Sequence, residues 1–283
     1  MANIILSAFS DEYNKDIDRQ LDFLSSRGVK YFEPRFIGEK NVSVLTESEA
    51  KELFSKMKCA GIGASAIGSP LGKINLADNF DEHLEKAKNT FTVANILGAK
   101  NIRMFSFYLR EGKSRDESRG EVIEKLGRLL DLADEYGVTL CHENEAKIYG
   151  ENEDRCLDLM IAFGGRLKCV FDMGNFVLDQ CKPYPTGYDK LKDHIEYFHI
   201  KDSMARGAIV PAGKGEAHIA DILRAHKAYA KRDFFVSLEP HLETFDGFNK
   251  LTDNSYENPY KFESPEAAFI AGLDALEDIL CKI

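Results

Sequence analysis

The sequence predicts an α/β fold, a single (β/α)8 TIM barrel spanning residues 1–283. Two observations carry the prediction. Short β-rich runs alternate with amphipathic helical patterns along the whole chain, and such alternation implies parallel pairing through right-handed crossovers. The first turn, "SAFSDEYN", lacks both G-x-G-x-x-G and a P-loop, which a doubly wound nucleotide-binding sheet would normally carry.

The strands are read at 3–9, 29–35, 62–68, 100–107, 138–144, 167–173, 195–202 and 234–240, each bounded by glycine or polar residues. The first helical pattern, "NKDIDRQLDFLSSRG", places Ile17, Leu21 and Leu24 on one face and stops at Gly28. The second opens with Thr46 and Glu49, a capping box, and closes at Gly61. Two long amphipathic patterns close at Gly98 and Gly137. Weaker ones cover 152–163, 186–194 and 216–231, and Pro265 opens the last. The stretch 241–263 after strand eight is long and irregular, and is read as a cover for the active site or a subunit contact.

Composition narrows the function. The chain is 44% hydrophobic and 30% charged, with a net charge of −10. An acidic balance argues against a phosphate-backbone surface, so no nucleic-acid partner is expected. No run approaches the roughly 18 apolar residues of a membrane span. The N-terminus does not read as a signal peptide. A cytoplasmic protein with reduced thiols is the expectation, and Cys141 and Cys169 read as small core residues.

Barrel enzymes place their chemistry at the C-terminal ends of the strands. Here strand five ends at Glu143, strand six at Asp172, strand seven at His199 and strand eight at Glu239. Strand alternation lets all four point inward, while His142 points outward toward a core hydrogen bond. A lone carboxylate at a strand end is usually a helix cap. Four potential ligands on consecutive strands support one another as a site for Mn²⁺, Mg²⁺, Co²⁺ or Zn²⁺. Lys201 shares the face of His199 and either reaches substrate or forms a salt bridge with Asp202 or Glu239. Asn175 either orients Asp172 or touches substrate. Glu33 and Arg103 are either substrate contacts or an interstrand ion pair. His241 points into the pocket, Asp202 joins the substrate-binding set, and Lys214 on "GKG" offers a charge to an anion.

The strings "CHENE", "VFDMGNF", "YFHIKDS", "VPAGKGEAHIADIL" and "VSLEPH", with "YFEPRF" and "IRMFSFY" earlier, resemble the xylose-isomerase-like superfamily, in its sugar phosphate isomerase/epimerase group. The resemblance covers essentially the whole chain. It implies one divalent ion held by Glu143, Asp172, His199 and Glu239. It also implies a polyol or keto-sugar substrate, with or without a phosphate, and dimers or tetramers of the chain. Glu143 and Glu239 would then pass a proton through an enediolate, with Lys201 at the developing oxyanion. The alternatives are a dehydratase of a keto-inositol or dehydroshikimate-like substrate and a non-catalytic sugar-binding barrel. Three departures stand out. Glu145 follows the Glu-Asn pair where relatives often have histidine. Arg206 lies farther from the strand-seven histidine than the arginine of ketose 3-epimerases. Seven histidines and an acidic balance set the chain apart from the three-zinc DNA-repair endonucleases of this fold.

Overall fold

The computed structural model describes residues 2–244 and 258–283. Eight barrel strands follow in chain order: β1 (Ile4–Ala8), β2 (Tyr31–Phe32), β3 (Gly63–Ala64 and Ala66–Ile67, interrupted at Ser65) and β4 (Asn101–Met104). The second half contributes β5 (Thr139–Glu143), β6 (Lys168–Asp172), β7 (Ile195–Ile200) and β8 (Phe234–Leu238). From β3 to β8 each strand runs parallel to the next, and β8 pairs with β1. β2 closes the ring. It pairs with the first piece of β3, and the Glu33 N–H donates to the Ala8 carbonyl at 2.9 Å.

The crossovers carry α1 (Ile17–Ser26), α2 (Glu47–Ala60), α3 (Phe80–Leu97), α4 (Arg115–Tyr136), α5 (Glu153–Ala162), α6 (Met173–Leu178), α7 (Tyr188–Leu191) and α8 (Ile219–Tyr229). α9 (Pro265–Leu280) packs back toward β8. The expected capping box is formed, with Thr46 and Glu49 satisfying each other's backbone N–H groups. None of the helices among the described residues is long and apolar enough to cross a membrane.

The core has two parts. The large one lies between strands and helices and includes Phe91, Leu126, Leu129, Cys169 and Phe198. The small one, Ala66, Cys141, Val170 and Tyr197, lines the barrel interior and floors its upper end. Cys141 and Cys169 are both buried, on opposite faces of the barrel wall.

Three elements differ from the sequence reading. Strand two, expected at 29–35, is regular only at Tyr31–Phe32, because Pro34 has no N–H to donate to a ladder. The helix expected at 186–194 is a single turn at Tyr188–Leu191, behind a π turn at Pro183–Gly187. α6 was not anticipated, since Asp172 both ends β6 and caps the helix that follows it. The stretch after β8 is anchored at both described ends. The Phe262 N–H donates to Glu243 O at 3.1 Å, and Asn258 Nδ2 donates to Ile209 O at 2.8 Å. The remainder, 245–257, lies outside the described residues, and with it the expected cover over the active site.

Candidate metal centre

The last residues of β5 and β6, the penultimate residue of β7 and the residue following β8 converge at the C-terminal mouth. Asn144, just beyond β5, clasps β6. Its Nδ2 donates to Asp172 O at 2.9 Å, and its Oδ1 accepts the Asp172 N–H at 3.0 Å. The Asn175 N–H then donates to Asp172 Oδ1 at 2.8 Å, while the Asn175 side chain donates to Asn144 O at 2.9 Å. Asn175 thus holds Asp172 through its backbone N–H, while its side chain holds Asn144.

One ligand-type atom each from Glu143, Asp172, His199 and Glu239 falls within a set whose members all lie within 4.8 Å of one another. All four residues are buried. Asp172 Oδ2 and Glu239 Oε2 are buried without any hydrogen-bond partner. Buried oxygens that accept no hydrogen bond are costly, and a cation among them lowers that cost, which the nearby Lys201 ammonium offsets only in part. Three carboxylates and one imidazole therefore fit a hard or borderline divalent ion.

Protein cations also balance this charge. Lys201 Nζ lies 3.0 Å from Asp172 Oδ2 and 3.5 Å from Glu239 Oε2. Arg103 Nη1 donates to Glu143 Oε2 at 3.2 Å, so Arg103 is in an interstrand ion pair, but with Glu143 and not with Glu33 as expected. Arg35, which the sequence reading passed over, ties the rim together. Its Nε reaches Asp11 at 2.9 Å, its Nη2 reaches Glu12 at 3.1 Å and its Nη1 reaches Glu239 Oε1 at 2.8 Å. Its position two residues after Glu33 on an inward-facing strand was the available signal.

His199 is enclosed by acids on both sides. Nδ1 lies 2.9 Å from Glu143 Oε1 and 3.6 Å from Glu239 Oε2, and Nε2 lies 3.2 Å from Glu33 Oε2. Phe9 meets the imidazole edge-on at 5.0 Å. His241 stands at the rim, with Nε2 3.0 Å from Glu12 and 3.4 Å from Glu239.

These environments move the titrations apart. Burial works against the His199 imidazolium, but Glu143 and Glu33 outweigh it and push the group up to about 10. Burial raises Asp172 to about 6, with Lys201 opposing it in part. Glu143 is driven down to about 2 because His199 and Arg103 overcome its burial. Glu239 is held well below the carboxylate range against its burial, by Lys201, His241, His199 and Arg35. Despite burial, Lys201 is raised by Asp172 and Glu239 and holds its proton.

Three expected substrate contacts lie elsewhere. Asp202 turns away from the quartet, and its carboxylate accepts the N–H groups of Ser203, Gly213, Gly215 and Ala217 at 2.8–3.1 Å. It holds the "GKG" loop, because strand alternation places it on the face opposite Lys201. Lys214 is exposed on that loop. Glu33 is wholly buried beneath His199, with Tyr197 Oη donating to its Oε1 at 3.0 Å, so it is shut off from a substrate entering from the rim. His142 faces outward as expected, 2.9 Å from Ser106 Oγ, and burial lowers it to about 4.

A family model described as a xylose isomerase-like TIM barrel matches residues 21–278. No curated protein sequence matches the chain. Solved structures do. The zinc-bound IolI protein superposes with a TM-score of 0.75 at 17% identity, covering 98% of each chain. The 3-keto-D-glucoside 4-epimerase YcjR of E. coli gives 0.69 at 14% identity, over 99% of each chain. The probable 3-DHS dehydratase AsbF of Bacillus anthracis, involved in petrobactin synthesis, gives 0.68 at 18% identity, over 84% of this chain and 92% of its own. At these identities the likeness is one of fold.

Proposed function

The chain belongs to the xylose isomerase-like TIM-barrel family, and from that premise we propose that it is a divalent-metal-dependent isomerase or epimerase of a polyol or keto-sugar. The observation that supports this reading is the buried quartet Glu143, Asp172, His199 and Glu239, which contains two carboxylate oxygens without hydrogen-bond partners. An ion bound there would supply Lewis-acid polarisation of a substrate carbonyl.

The protein's own groups do the rest. Glu143 and Glu239 come from β5 and the end of β8, on different sides of the mouth, and both are held ionised by neighbouring cations. An ionised carboxylate can remove the proton next to the carbonyl, and the proton returned comes from that same carboxylate, now protonated, or from the Lys201 ammonium, which retains its own. Delivery from the opposite side inverts the carbon, while delivery to the neighbouring carbon isomerises. Lys201 keeps its ammonium proton and can stabilise oxygen charge as it develops.

That same held proton favours a second reading. Protonation of a departing β-hydroxyl by Lys201 after α-proton removal would give dehydration. Product mass separates the two, because only dehydration loses water.

The test is elemental analysis of native protein beside Glu239→Gln and His199→Ala. About one divalent ion per chain, sharply reduced in both variants, is expected, and it selects the metal for a keto-sugar and polyol screen. Equal content in all three proteins, or no ion in any, would overturn the proposed site.

A further inference from the structure

Among the described residues, Glu33 is the one carboxylate in contact with the quartet that belongs to neither the ligand set nor the rim. It is wholly buried, and its partners are both on β7. Oε1 accepts the Tyr197 hydroxyl at 3.0 Å, and Oε2 lies 3.2 Å from His199 Nε2. Tyr197 and His199 are two residues apart, so they share the inward face of the strand. Glu33 thus grips two successive inward side chains of β7 from across the barrel.

The opposite nitrogen of the same imidazole faces the ligand oxygens, with Glu143 at 2.9 Å and Glu239 at 3.6 Å from Nδ1. With Oε1 taken by the Tyr197 hydroxyl, Glu33 presents Oε2 as an acceptor to Nε2, which carries a hydrogen toward it; the hydrogen on Nδ1, among the ligand oxygens, is the one an ion would displace. A metal-binding imidazole must offer a bare nitrogen, and the hydrogen bond on the other nitrogen decides which one that is.

Resting on the metal site proposed above, we propose that Glu33 is a positioning residue that fixes the tautomer of His199, holding the hydrogen on Nε2 so that Nδ1 is the nitrogen offered to a divalent ion. Tyr197 is part of the same device, because its hydroxyl sets the rotamer of Glu33. Glutamine at position 33 would break it without changing the volume. An amide can donate to Nε2, which moves the hydrogen to Nδ1 and blocks ligation.

The experiment measures the Zn²⁺ dissociation constant by competition with a chromophoric chelator at fixed pH, for wild type, Glu33→Gln, Glu33→Asp, Tyr197→Phe and His199→Ala. It is paired with nitrogen NMR of histidine-labelled, zinc-loaded protein. Glu33→Gln is expected to weaken binding about 10–100-fold, in the range of lost outer partners of metal-bound histidines. It should also abolish the hydrogen-bonded Nε2–H signal of His199. Glu33→Asp, which keeps the acceptor charge, should recover part of both.

Glu33→Gln binding zinc within twofold of wild type, with the Nε2–H signal intact, overturns the inference. If Glu33→Gln does not fold, Tyr197→Phe decides it, with weaker zinc binding in support and unchanged binding against. A wild type that takes up no zinc or other divalent ion sinks the metal site and this inference together. A wild type whose zinc is lost in His199→Ala but untouched in Glu33→Gln sinks this inference alone.

Discussion

His199 and His142 lie near the C-terminal ends of barrel strands, are equally buried, and have opposite chemistry. His199 projects inward from β7 and has a carboxylate at each ring nitrogen, which holds it as an imidazolium up to about 10. His142 projects outward from β5, meets only the Ser106 hydroxyl, and is pushed down to about 4 by burial. The same outward layer lowers His83 and His226 to about 4. Burial alone makes a histidine a neutral core residue. It takes surrounding acids to make it a charged one, and on a strand a step of one residue selects between the two.

The strongest way to break this contrast is to remove an inner acid. Glu239→Gln should cost about 10²–10⁴-fold in turnover of whichever substrate a screen identifies, the range for general acid–base groups. An outer-face change such as His142→Ala should leave both bound metal and turnover per folded molecule near wild type. Elemental analysis and steady-state kinetics on the two variants check the pair.

Metal binding should compete with protons in a pattern set by the inner residues. His199 must surrender its Nδ1 proton, so apparent affinity should rise about tenfold per pH unit between pH 7 and 9. Below about 6, Asp172 also protonates, and the dependence should steepen to about a hundredfold per unit. Titrations from pH 5 to 9 would show the break, and a flat profile would contradict the ligand assignment.

The outer face predicts a pH effect on folding. His83, His142 and His226 bind protons more weakly folded than unfolded, so stability should be lost as pH falls from about 6.5 toward 4. Each contributes at most about 1.4 kcal/mol per pH unit across that window. His199 has the opposite sign. Its stabilisation is fully present below about 6.5 and is lost as pH rises through about 10. Denaturant melts at a series of pH values, with and without His142→Ala, separate the contributions. The variant should itself cost about 1–3 kcal/mol by stranding buried polar partners.

The smallest effect belongs to the rim. Lys73 pairs with Glu145 at 2.8 Å while both side chains stay about one-third exposed. Lys73→Met should change stability by less than about 1 kcal/mol. A larger loss in a thermal melt would mean that the rim is drier than its exposure implies.

The sequence made the inner quartet legible because four consecutive strands each end in a potential ligand at an inward position. Lys201 and His142 followed from the same alternation. The alternation rule also puts Asp202 on the face opposite Lys201, where its carboxylate holds the "GKG" loop and not the inner site. Arg35, Asp11 and Glu12 were not legible as a unit. Asp11 and Glu12 come from a connection without periodicity, only Arg35 carried an alternation signal, and the Arg35–Glu239 pair joins positions far apart in the chain. α6 was hidden because Asp172 reads equally as a strand end and as a helix cap. Pro34 could have warned that strand two is short.

The clasp formed by Asp202 separates what must stay from what is free to drift. Its four donors are the backbone N–H groups of Ser203, Gly213, Gly215 and Ala217, and no side chain takes part. The donors therefore persist whatever replaces residues 204–212, provided the backbone keeps its path. Gly215 cannot vary as freely, since a Cβ there would lie 2.2 Å from Asp202 Oδ1. Across β7, Gly174 is fixed in the same way, 2.7 Å from the Lys201 carbonyl. One aspartate and two glycines thus serve as mounting points for an exchangeable rim. A lineage, or an engineer grafting loops, can rewrite the approach to the site while Lys201 and the acids below it keep their places.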